Sequence, residues 1–414
     1  MKISNLSNSN FRYLWGSQIL SQLTVNIMTF LVLLRIYELT GSTMAASFVW
    51  VASALPAMIV GPLGAVASDL FDRRKILMIT NFAQAVIIFL FALTYQRIFY
   101  LSYGVVLGYS LFNQFYTPAE SSSLPILVKK QNLPQANGIF FISQQVAVLS
   151  AFAFAGLAGE AFGFGTAALL GSFFLILAFF SVSRLPSIKV ETEGEVYSFE
   201  ETMVQFFIKI IDGYQFIRRK KDVFYPFAFL IFLQASLTIL FINLPEIGIE
   251  VIGTKPSLVG LMAIVPAGVG ALVGTFLTSK LLSKKWRKKR LIEISLIVLG
   301  TGLVLMPAIV PLLGNLSGKI VAIICFFAAG VSYVSALVPS LTFLQEHTPA
   351  KYTGRVFGNF WFITSIITVL PVLFGATITE IFGVQVLMVV MGGITLSMLG
   401  LLHYYMPIIF KNGV

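Results

Sequence analysis

Long stretches without a single Lys, Arg, Asp or Glu recur along the whole chain. A helix needs roughly 20 apolar residues to cross a bilayer, and none of these stretches alternates in the manner of a membrane-barrel strand. Because a backbone in lipid must satisfy its own hydrogen bonds, the pattern predicts an all-α membrane protein with twelve transmembrane helices. The twelve stretches are 13–34, 39–68, 76–96, 98–119, 131–159, 161–183, 223–245, 256–279, 294–318, 320–345, 356–379 and 381–410.

Basic residues are concentrated on one set of connecting segments. Of the 28 Lys and Arg, all but Arg35, Arg97, Lys255 and Lys319 lie in the two termini or in the loops that follow every second span. Positively charged loops remain in the cytoplasm. The sequence therefore predicts a multi-pass protein of the cell (inner) membrane with both termini cytoplasmic. The basic run 284–290 is interpreted as a topology signal, with contact to anionic membrane lipids as a second role.

Composition narrows the class of protein further. Hydrophobic residues make up 57% of the 414 residues and charged residues 11%, whereas soluble proteins carry about 25% charged residues. This excludes a soluble or disordered chain, and the net charge of +11 is assigned to loops rather than to nucleic-acid binding. With one cysteine and two distant histidines, the sequence offers no metal cluster, and no cofactor is expected. A membrane-embedded enzyme is the least favoured class.

The longest interruption between spans is 184–222, which separates six spans from six. We expect an N-terminal six-helix bundle (1–186), a cytoplasmic linker (187–222) and a C-terminal six-helix bundle (223–414), related by pseudo-symmetry as in many transporters. The linker begins with an acidic stretch, followed by apolar residues at helical spacing from Met203 to Ile217. They predict an amphipathic helix, either on the inner membrane surface or packed on the cytoplasmic ends of the bundle.

The turn after the second span carries the most specific motif, residues 61–75, in which Asp69 is followed by Arg73 and Arg74. It resembles the loop motif of the major facilitator superfamily and, more narrowly, that of the macrolide-efflux and enterobactin-exporter branch. Ala65 and Leu70 depart from the usual residues of the motif. Further segments that resemble this branch are 11–15, 21–22, 37–42, 118–125, 133–137, 212–219 and 354–357.

The resemblance implies alternating access and a substrate cavity lined by spans one, four, seven and ten. It also implies an inner gate that includes Asp69, Arg73 and Arg74. We expect Asp69 to lie near Gly354 and Arg355 at the start of span eleven. The branch often has a basic residue where this chain has Glu120, so we expect Arg73 to pair with Glu120. The acid that the branch often carries in its first helix is absent here, since Val25 and Asn26 occupy that region.

Polar side chains inside the spans are the candidates for substrate contact. On span one, Gln18, Gln22 and Asn26 are spaced four residues apart and form one stripe. Amides that face lipid are costly, so these stripes should face protein or water. Helix–helix hydrogen bonding is the alternative. The candidate substrate-binding residues are Gln18, Gln22, Asn26, Asn113, Gln114, Tyr116, Gln144, Gln234, Thr238, Asn243 and Asn359.

These features predict a secondary active transporter. We expect it to export a bulky, partly hydrophobic small molecule that is drug-like, macrolide-like or siderophore-like. We also expect the protein to be a monomer. A flippase for lysophospholipids or other lipid-like substrates is the alternative within the same architecture. If protons drive transport, Glu246 is the candidate coupling residue, because it follows Pro245 at the outer mouth of span seven and lies one turn before Glu250. A solvated loop acid is the simpler interpretation of Glu246.

Overall fold

The computed structural model describes residues 8–96, 99–129, 132–188, 199–284 and 286–409. Over these residues the chain is helical, without β-strands. Short π-helical segments occur at Ile247–Ile252 and Gly260–Ile264, and 3-10 segments at Pro256–Leu258 and Val310–Leu313. The α-helices are α1 (Ser9–Thr40), α2 (Thr43–Ile59), α3 (Gly61–Leu70), α4 (Arg73–Thr94), α5 (Leu101–Leu127), α6 (Leu133–Phe162), α7 (Phe164–Ser183), α8 (Phe199–Arg219), α9 (Lys221–Ile242), α10 (Leu244–Glu246), α11 (Val265–Ser283), α12 (Lys288–Ile309), α13 (Asn315–His347), α14 (Ala350–Ile367), α15 (Val369–Phe382) and α16 (Val384–Ile409).

Nine helices in the described part of the chain are long and apolar enough to cross a membrane, or ten if α2 and α3 are counted as one bent span. The two remaining predicted spans fall on α5 and α16. α5 carries Asn113, Gln114 and Glu120 and is less apolar than the others, and α16 is a shorter apolar helix over Val384–Gly400. The all-helical membrane architecture is confirmed, and the count of twelve spans stays a prediction.

The second predicted span, 39–68, is broken into two helices. α2 and α3 meet at Val60 with a bend of 48°. Pro56 lies inside α2, where a proline removes one backbone hydrogen bond and distorts the helix. Pro62 lies in the first turn of α3, where a proline is well tolerated. The proline on each side of Val60 therefore accounts for the break.

Single glycines connect the last two helices in each half of the chain. Gly163 separates α6 from α7 with φ +77°, and Gly383 separates α15 from α16 with φ +86°. A connection this short requires a positive φ, which glycine adopts without the steric penalty of a side chain. The repetition of the same connection at the fifth and eleventh predicted spans agrees with an internal repeat.

The chain forms two compact units, residues 1–40 with 48–207 and residues 41–47 with 208–414. The core of the first unit is built from α1, α4, α5, α6 and α7, around buried Phe11, Leu14, Leu77 and Tyr116. The second unit has one cluster around Leu233 and Leu296 and another around Phe227 and Leu230. The predicted linker bounds, 187 and 222, stay a prediction, and its acidic stretch 191–195 lies outside the described residues.

The second half of α8 packs within the second unit. Ile217 is buried with Val356 and Phe360, and the ring of Phe216 stacks on Tyr352 with centroids 4.3 Å apart. This agrees with the interpretation that α8 packs on helix ends. Apolar side chains on the rest of α8 remain exposed, as expected for a helix that also touches a membrane surface: Val204, Phe207, Ile208, Ile211 and Tyr214.

Candidate functional site

The motif glycine Gly64 brings α3 and α5 into backbone contact. A Cβ atom at Gly64 would overlap the carbonyl oxygen of Gln114. The second unit contains a contact of the same kind between α11 and α13, where a Cβ at Gly270 would overlap the carbonyl oxygen of Phe327. Small residues at such crossings let transmembrane helices approach closely. The predicted substrate residues on α5 are therefore held by a fixed α3–α5 pair.

Asp72, in the turn between α3 and α4, is an anchor that the sequence did not reveal. Its carboxylate caps α4 by accepting from the N–H of Arg74 at 3.0 Å, and it also accepts from the Ser187 hydroxyl at 2.8 Å and the Ile188 N–H at 3.1 Å. Burial raises the pKa of Asp72, but these hydrogen bonds outweigh burial and hold the pKa below its ordinary value. An aspartate directly before the first helical residue is the sequence signal that identifies such a cap.

The predicted pair between Arg73 and Glu120 is wrong. The Arg73 guanidinium is nearly buried and donates to two backbone carbonyl oxygens, those of Ser68 at 2.9 Å and Ser122 at 2.7 Å. Its one carboxylate neighbour is Asp69 at 3.9 Å, whose side chain is 63% exposed. Arg73 thus closes the α3–α4 turn onto α5. The Ser68 carbonyl group lies in the last turn of α3, where carbonyl groups have no intrahelical donor.

The remaining gate residues are placed only in part. The Arg74 guanidinium donates to the carbonyl oxygen of Ser183 at 2.5 Å, near the C-terminal end of α7, where a positive charge complements the helix dipole. Gly354 and Arg355 lie in the first turns of α14, but the surroundings of Gly354 and the side chain of Arg355 lie outside what the structure describes. The proposed approach of Asp69 to these residues stays a prediction.

Of the span-one amides, Gln18 and Gln22 are buried within the first unit and Asn26 is partly buried. Gln18 donates to the carbonyl oxygen of Phe140 on α6 at 3.1 Å, and the amide of Asn26 donates to the carbonyl oxygen of Gln22 at 2.7 Å. The side-chain oxygens of Gln18 and Asn113 are buried without a hydrogen-bond partner. Gln114 donates to the carbonyl oxygen of Ser110. Some of these amide groups therefore stabilise helix packing, while the side-chain oxygens of Gln18 and Asn113 have no hydrogen-bond partner.

A polar network that the sequence did not predict joins α1, α4 and α5. The hydroxyl oxygens of Ser17 and Tyr116 are 3.1 Å apart, and Asn81 donates to Ser17 at 3.0 Å. Tyr116 also donates to Glu120 at 3.3 Å. All of these side chains are buried. Asn81 lies on span three, which was not expected to line a cavity, so spacing on spans one, four, seven and ten could not have found it.

A second branch of this network lies further along the same helices. Gln84 of α4 donates to the carbonyl oxygen of Tyr109 at 3.0 Å, and the hydroxyl groups of Tyr109 and Thr29 are 2.7 Å apart. The side-chain oxygens of Asn81 and Gln84 are buried without a partner. Native proteins leave few buried polar atoms unpaired, so these oxygens mark places where a further donor belongs.

The candidate residues of the second unit are divided between packing and open polar groups. Gln234 accepts from Tyr333 at 3.4 Å, and Thr238 donates to the carbonyl oxygen of Gln234 at 2.9 Å. Asn243 is fully buried, and its side-chain oxygen has no partner. Asn359 donates to the carbonyl oxygen of Ile210 on α8 at 2.9 Å, so its amide group is used to hold α8.

The candidate Gln144 of the first unit is exposed on α6, as is its neighbour Gln145. Its side chain contributes no hydrogen bond to the buried polar groups of α1, α4 and α5. Among the predicted substrate residues of the described chain, Gln144 is therefore the one that the fold leaves outside the polar interior of its own unit.

Glu246 belongs to a cluster of three carboxylates in the second unit. It ends α10, outside the helices that are long enough to span a membrane, and is hydrogen-bonded to Glu250, with Glu380 nearby. Burial, reinforced by these two neighbours, raises the pKa of Glu246 to about 7. Glu380 accepts from the Ser42 hydroxyl at 3.1 Å and the Met44 N–H at 3.2 Å. Glu246 is thus more than a solvated loop acid.

Proteins of known sequence place the chain among transporters. It is 25% identical over 381 residues to the uncharacterized MFS-type transporter YfiS of Bacillus subtilis (strain 168), covering 89% of this chain and 86% of that protein. It is 22% identical over 383 residues to macrolide efflux protein A of Streptococcus pyogenes, covering 91% of this chain and 90% of that protein. Both similarities extend over nearly the whole chain.

Solved structures show the same fold. A POT family transporter in complex with 5-aminolevulinic acid superposes with a TM-score of 0.73 at 13% identity, covering 97% of this chain and 96% of the other. A bacterial homologue of the human lysosomal transporter Spinster, inward-facing and unoccupied, superposes with a TM-score of 0.71 at 14% identity, covering 96% of each chain. The family model of the Major Facilitator Superfamily matches residues 14–370. With this match over most of its length and the charged motif at the α3–α4 turn, the chain belongs to the major facilitator superfamily of membrane transporters.

Proposed function

We propose that this protein is a secondary active transporter that exports a bulky, partly hydrophobic small molecule by alternating access. The similarity to macrolide efflux protein A over 91% of the chain supports this substrate class. The amide-bearing stripes on otherwise apolar helices support it as well, because a binding cavity for an amphiphile combines a large apolar surface with a few polar groups.

The main support for the proposal is a set of buried side-chain atoms that have no hydrogen-bond partner. Among the predicted substrate residues these are the side-chain oxygens of Gln18 and Asn113 in the first unit, and of Asn243 and Asn359 in the second. Each is a buried hydrogen-bond acceptor within or at the end of a helix. Buried acceptors are stabilised by a donor, so the substrate should present N–H or O–H groups and be neutral or cationic. An anionic substrate would meet acceptors instead of donors.

Proton coupling through Glu246 completes the proposal. A carboxyl group that titrates near neutral pH changes its charge across a physiological pH gradient, and a group of this kind is what proton-coupled exchange requires. Burial raises the pKa of Glu246, and the negative charge of Glu250 and Glu380 raises it further. External protons would bind the cluster and be released as the transport cycle advances.

Counterflow in liposomes tests the proposed substrate class. Purified protein is reconstituted, and exchange is measured with labelled macrolides, siderophore-like compounds and lysophospholipids. We expect exchange of donor-bearing neutral or cationic amphiphiles. We also expect Gln18→Leu to raise their KM severalfold, while Gln385→Leu, at an exposed glutamine of α16, does not. Lysophospholipid exchange without drug exchange would instead identify a flippase.

Cysteine labelling tests the proposed orientation in the cell membrane. In a Cys325→Ser background, Lys284→Cys should react with an impermeant maleimide only when the cytoplasmic side is accessible. Lys255→Cys should react only from outside. Both lysines are exposed, so accessibility depends on the side of the membrane. The reverse pattern would overturn the cytoplasmic placement of the termini.

A further inference from the structure

Glu120 is a buried carboxyl group that has no cationic partner among the residues that the structure describes. Its side chain is 5% exposed and accepts one hydrogen bond, from Tyr116. Burying an unpaired carboxylate charge is so unfavourable that such a group takes up a proton instead. The residue therefore differs from an ordinary helix-end glutamate, which would be ionised and solvated.

The charged groups on the elements around this part of α5 are all engaged elsewhere. Arg73 of α4 donates to the Ser68 and Ser122 carbonyl oxygens, and Arg74 donates to that of Ser183. Asp69 of α3 is mostly exposed beside Arg73. Of the other charged groups on the flanking helices, Arg12 of α1 bonds Ser9 and is exposed, as is Lys75 of α4. Arg35 of α1 donates to the carbonyl oxygen of Tyr95, and Glu38 of α1 and Glu160 of α6 lie at the far ends of their helices. None of them neutralises Glu120.

The hydrogen-bond chain at Glu120 suits both protonation states. The Tyr116 hydroxyl can donate to the carboxylate, or accept from the protonated acid and donate to Ser17 instead. Hydroxyl groups do both, and Asn81 supplies a fixed donor at the far end of the chain. The unpartnered, fully buried oxygen of Asn81 leaves an acceptor for a proton-carrying water or hydronium. A series of hydrogen bonds whose donors and acceptors can reverse can pass on a proton without a large rearrangement of the side chains.

The same face of α5 leads from Glu120 toward a proposed substrate contact. Tyr109, Asn113, Tyr116 and Glu120 follow at intervals of four, three and four residues, which places them on one helical stripe. Asn113 lies seven residues from Glu120, or about 10 Å along the helix axis. A proton at Glu120 and a substrate at Asn113 would thus occupy the same face of one rigid helix.

We propose that Glu120, Tyr116, Ser17 and Asn81 form a proton-binding site inside the first unit, in which the Glu120 carboxyl group binds and releases the proton. The site is separate from Glu246. It deepens the proposed proton coupling and rests on that proposal for its role in transport, whereas proton binding itself can be measured without substrate. Binding forms one O–H bond on the carboxylate, and release to water reverses it.

Infrared titration of the full-length protein in lipid nanodiscs tests the site. The carbonyl stretch of a protonated carboxyl group is separate from that of a carboxylate. We expect the wild type to show two protonated-carboxyl contributions at neutral pH, one from Glu246, whose pKa is raised to about 7, and a Glu120 band that disappears in alkaline buffer and is lost in Glu120→Gln. Asp69→Asn, which removes an exposed acid of the same unit, and Glu246→Gln should retain this band.

Tyr116→Phe keeps the carboxyl group and removes its hydrogen bond, so it also serves if Glu120→Gln does not fold. The band should then shift to higher frequency, as expected for a carboxyl group with a weaker hydrogen bond. A neutral-pH spectrum of Glu120→Gln identical to the wild type, or a band that does not move in Tyr116→Phe, would overturn the site. Neither result depends on transport, so the proposed export function is tested separately.

Discussion

The backbone N–H of Ile188 donates to the Asp72 carboxylate at 3.1 Å. The contact is reciprocal, since the Arg73 N–H donates to the carbonyl oxygen of Ile188, also at 3.1 Å. Ile188 itself is buried in the core of the first unit. The second acid of the motif therefore holds the segment that follows α7 against the α3–α4 turn, and its role is structural.

Asp72→Ala should lower the thermal stability of the protein. Removing a helix N-cap costs about 1 kcal/mol, and the substitution also removes the acceptor for Ser187 and Ile188. The melting temperature of the purified protein in detergent measures this loss. Asp69→Ala is the matched control, because its exposed carboxylate makes only the 3.9 Å contact with Arg73. Equal melting temperatures for both variants would contradict the anchoring role of Asp72.

The contribution of Asp72 should also depend on pH. Its pKa is held below the ordinary value, so its stabilisation is fully present above the unfolded-state pKa, about 3.9, and is lost as the pH falls through the folded-state pKa. The difference in melting temperature between the wild type and Asp72→Asn should therefore be constant near neutral pH and narrow in acid. A difference that widens on acidification would contradict this sign.

Substitution of Arg73 should lower the stability of the protein, whereas substitution of Asp69 should lower its transport activity. Arg73→Ala leaves the buried carbonyl group of Ser68 without its side-chain donor, which costs about 1–3 kcal/mol, and also removes the hydrogen bond to the carbonyl oxygen of Ser122. Asp69→Asn removes an exposed ion pair worth about 1 kcal/mol or less. We expect Arg73→Ala to lower the melting temperature clearly. Asp69→Asn should leave melting and expression nearly unchanged while transport falls, and normal transport would remove Asp69 from the gate.

Gly64→Ala should impair folding. The added Cβ would overlap the carbonyl oxygen of Gln114, and a backbone atom cannot move aside without separating α3 from α5. Gly104→Ala is the control on α5, because no atom lies within 4 Å of its added Cβ, and alanine favours a helix over glycine by about 0.5–1 kcal/mol. The yield of monodisperse protein measures the contrast, and equal yields would show that the α3–α5 contact can relax.

Glu246→Gln should abolish uptake driven by a pH gradient into inverted vesicles and preserve downhill exchange. Glu250→Gln should act more subtly, because the negative charge that helps to raise the pKa of Glu246 from its ordinary value to about 7 is removed. The pH midpoint of gradient-driven uptake should then move to lower pH. Glu346→Gln, at an acid that pairs with Lys288, is the control. An unchanged midpoint in Glu250→Gln would place the coupling acid elsewhere.

The arrangement of the chain in membrane-spanning helices could be predicted from the sequence, because one physical rule determines it. Long charge-free stretches predicted membrane helices, because lipid excludes unpaired backbone groups. The rule did not locate the break at Val60, which depends on how Pro56 and Pro62 act together. It also overlooked the low hydropathy of α5, which Asn113, Gln114 and Glu120 make more polar than the other spans.

The contacts of the candidate site residues were less predictable, because the hydrogen-bond partner of a side chain depends on distances in the folded structure. The spacing of residues along the sequence does not give these distances. Arg73 was expected to pair with Glu120, yet its guanidinium donates to two backbone carbonyl oxygens. Asn359 was assigned to substrate, yet it donates to α8. Ser17 and Asn81 are ordinary residues in sequence, and their importance arises only when α1, α4 and α5 bring them beside Tyr116.

The contact at Gly64 has a mechanical consequence. Two helices whose backbones touch cannot slide or rotate past one another without a steric clash. We therefore expect α3 and α5 to move as one rigid body. Asp69 lies five residues beyond Gly64 on α3, and Glu120 lies six residues beyond Gln114 on α5. A displacement at either carboxylate would thus be transmitted to the other without being absorbed by side-chain flexibility.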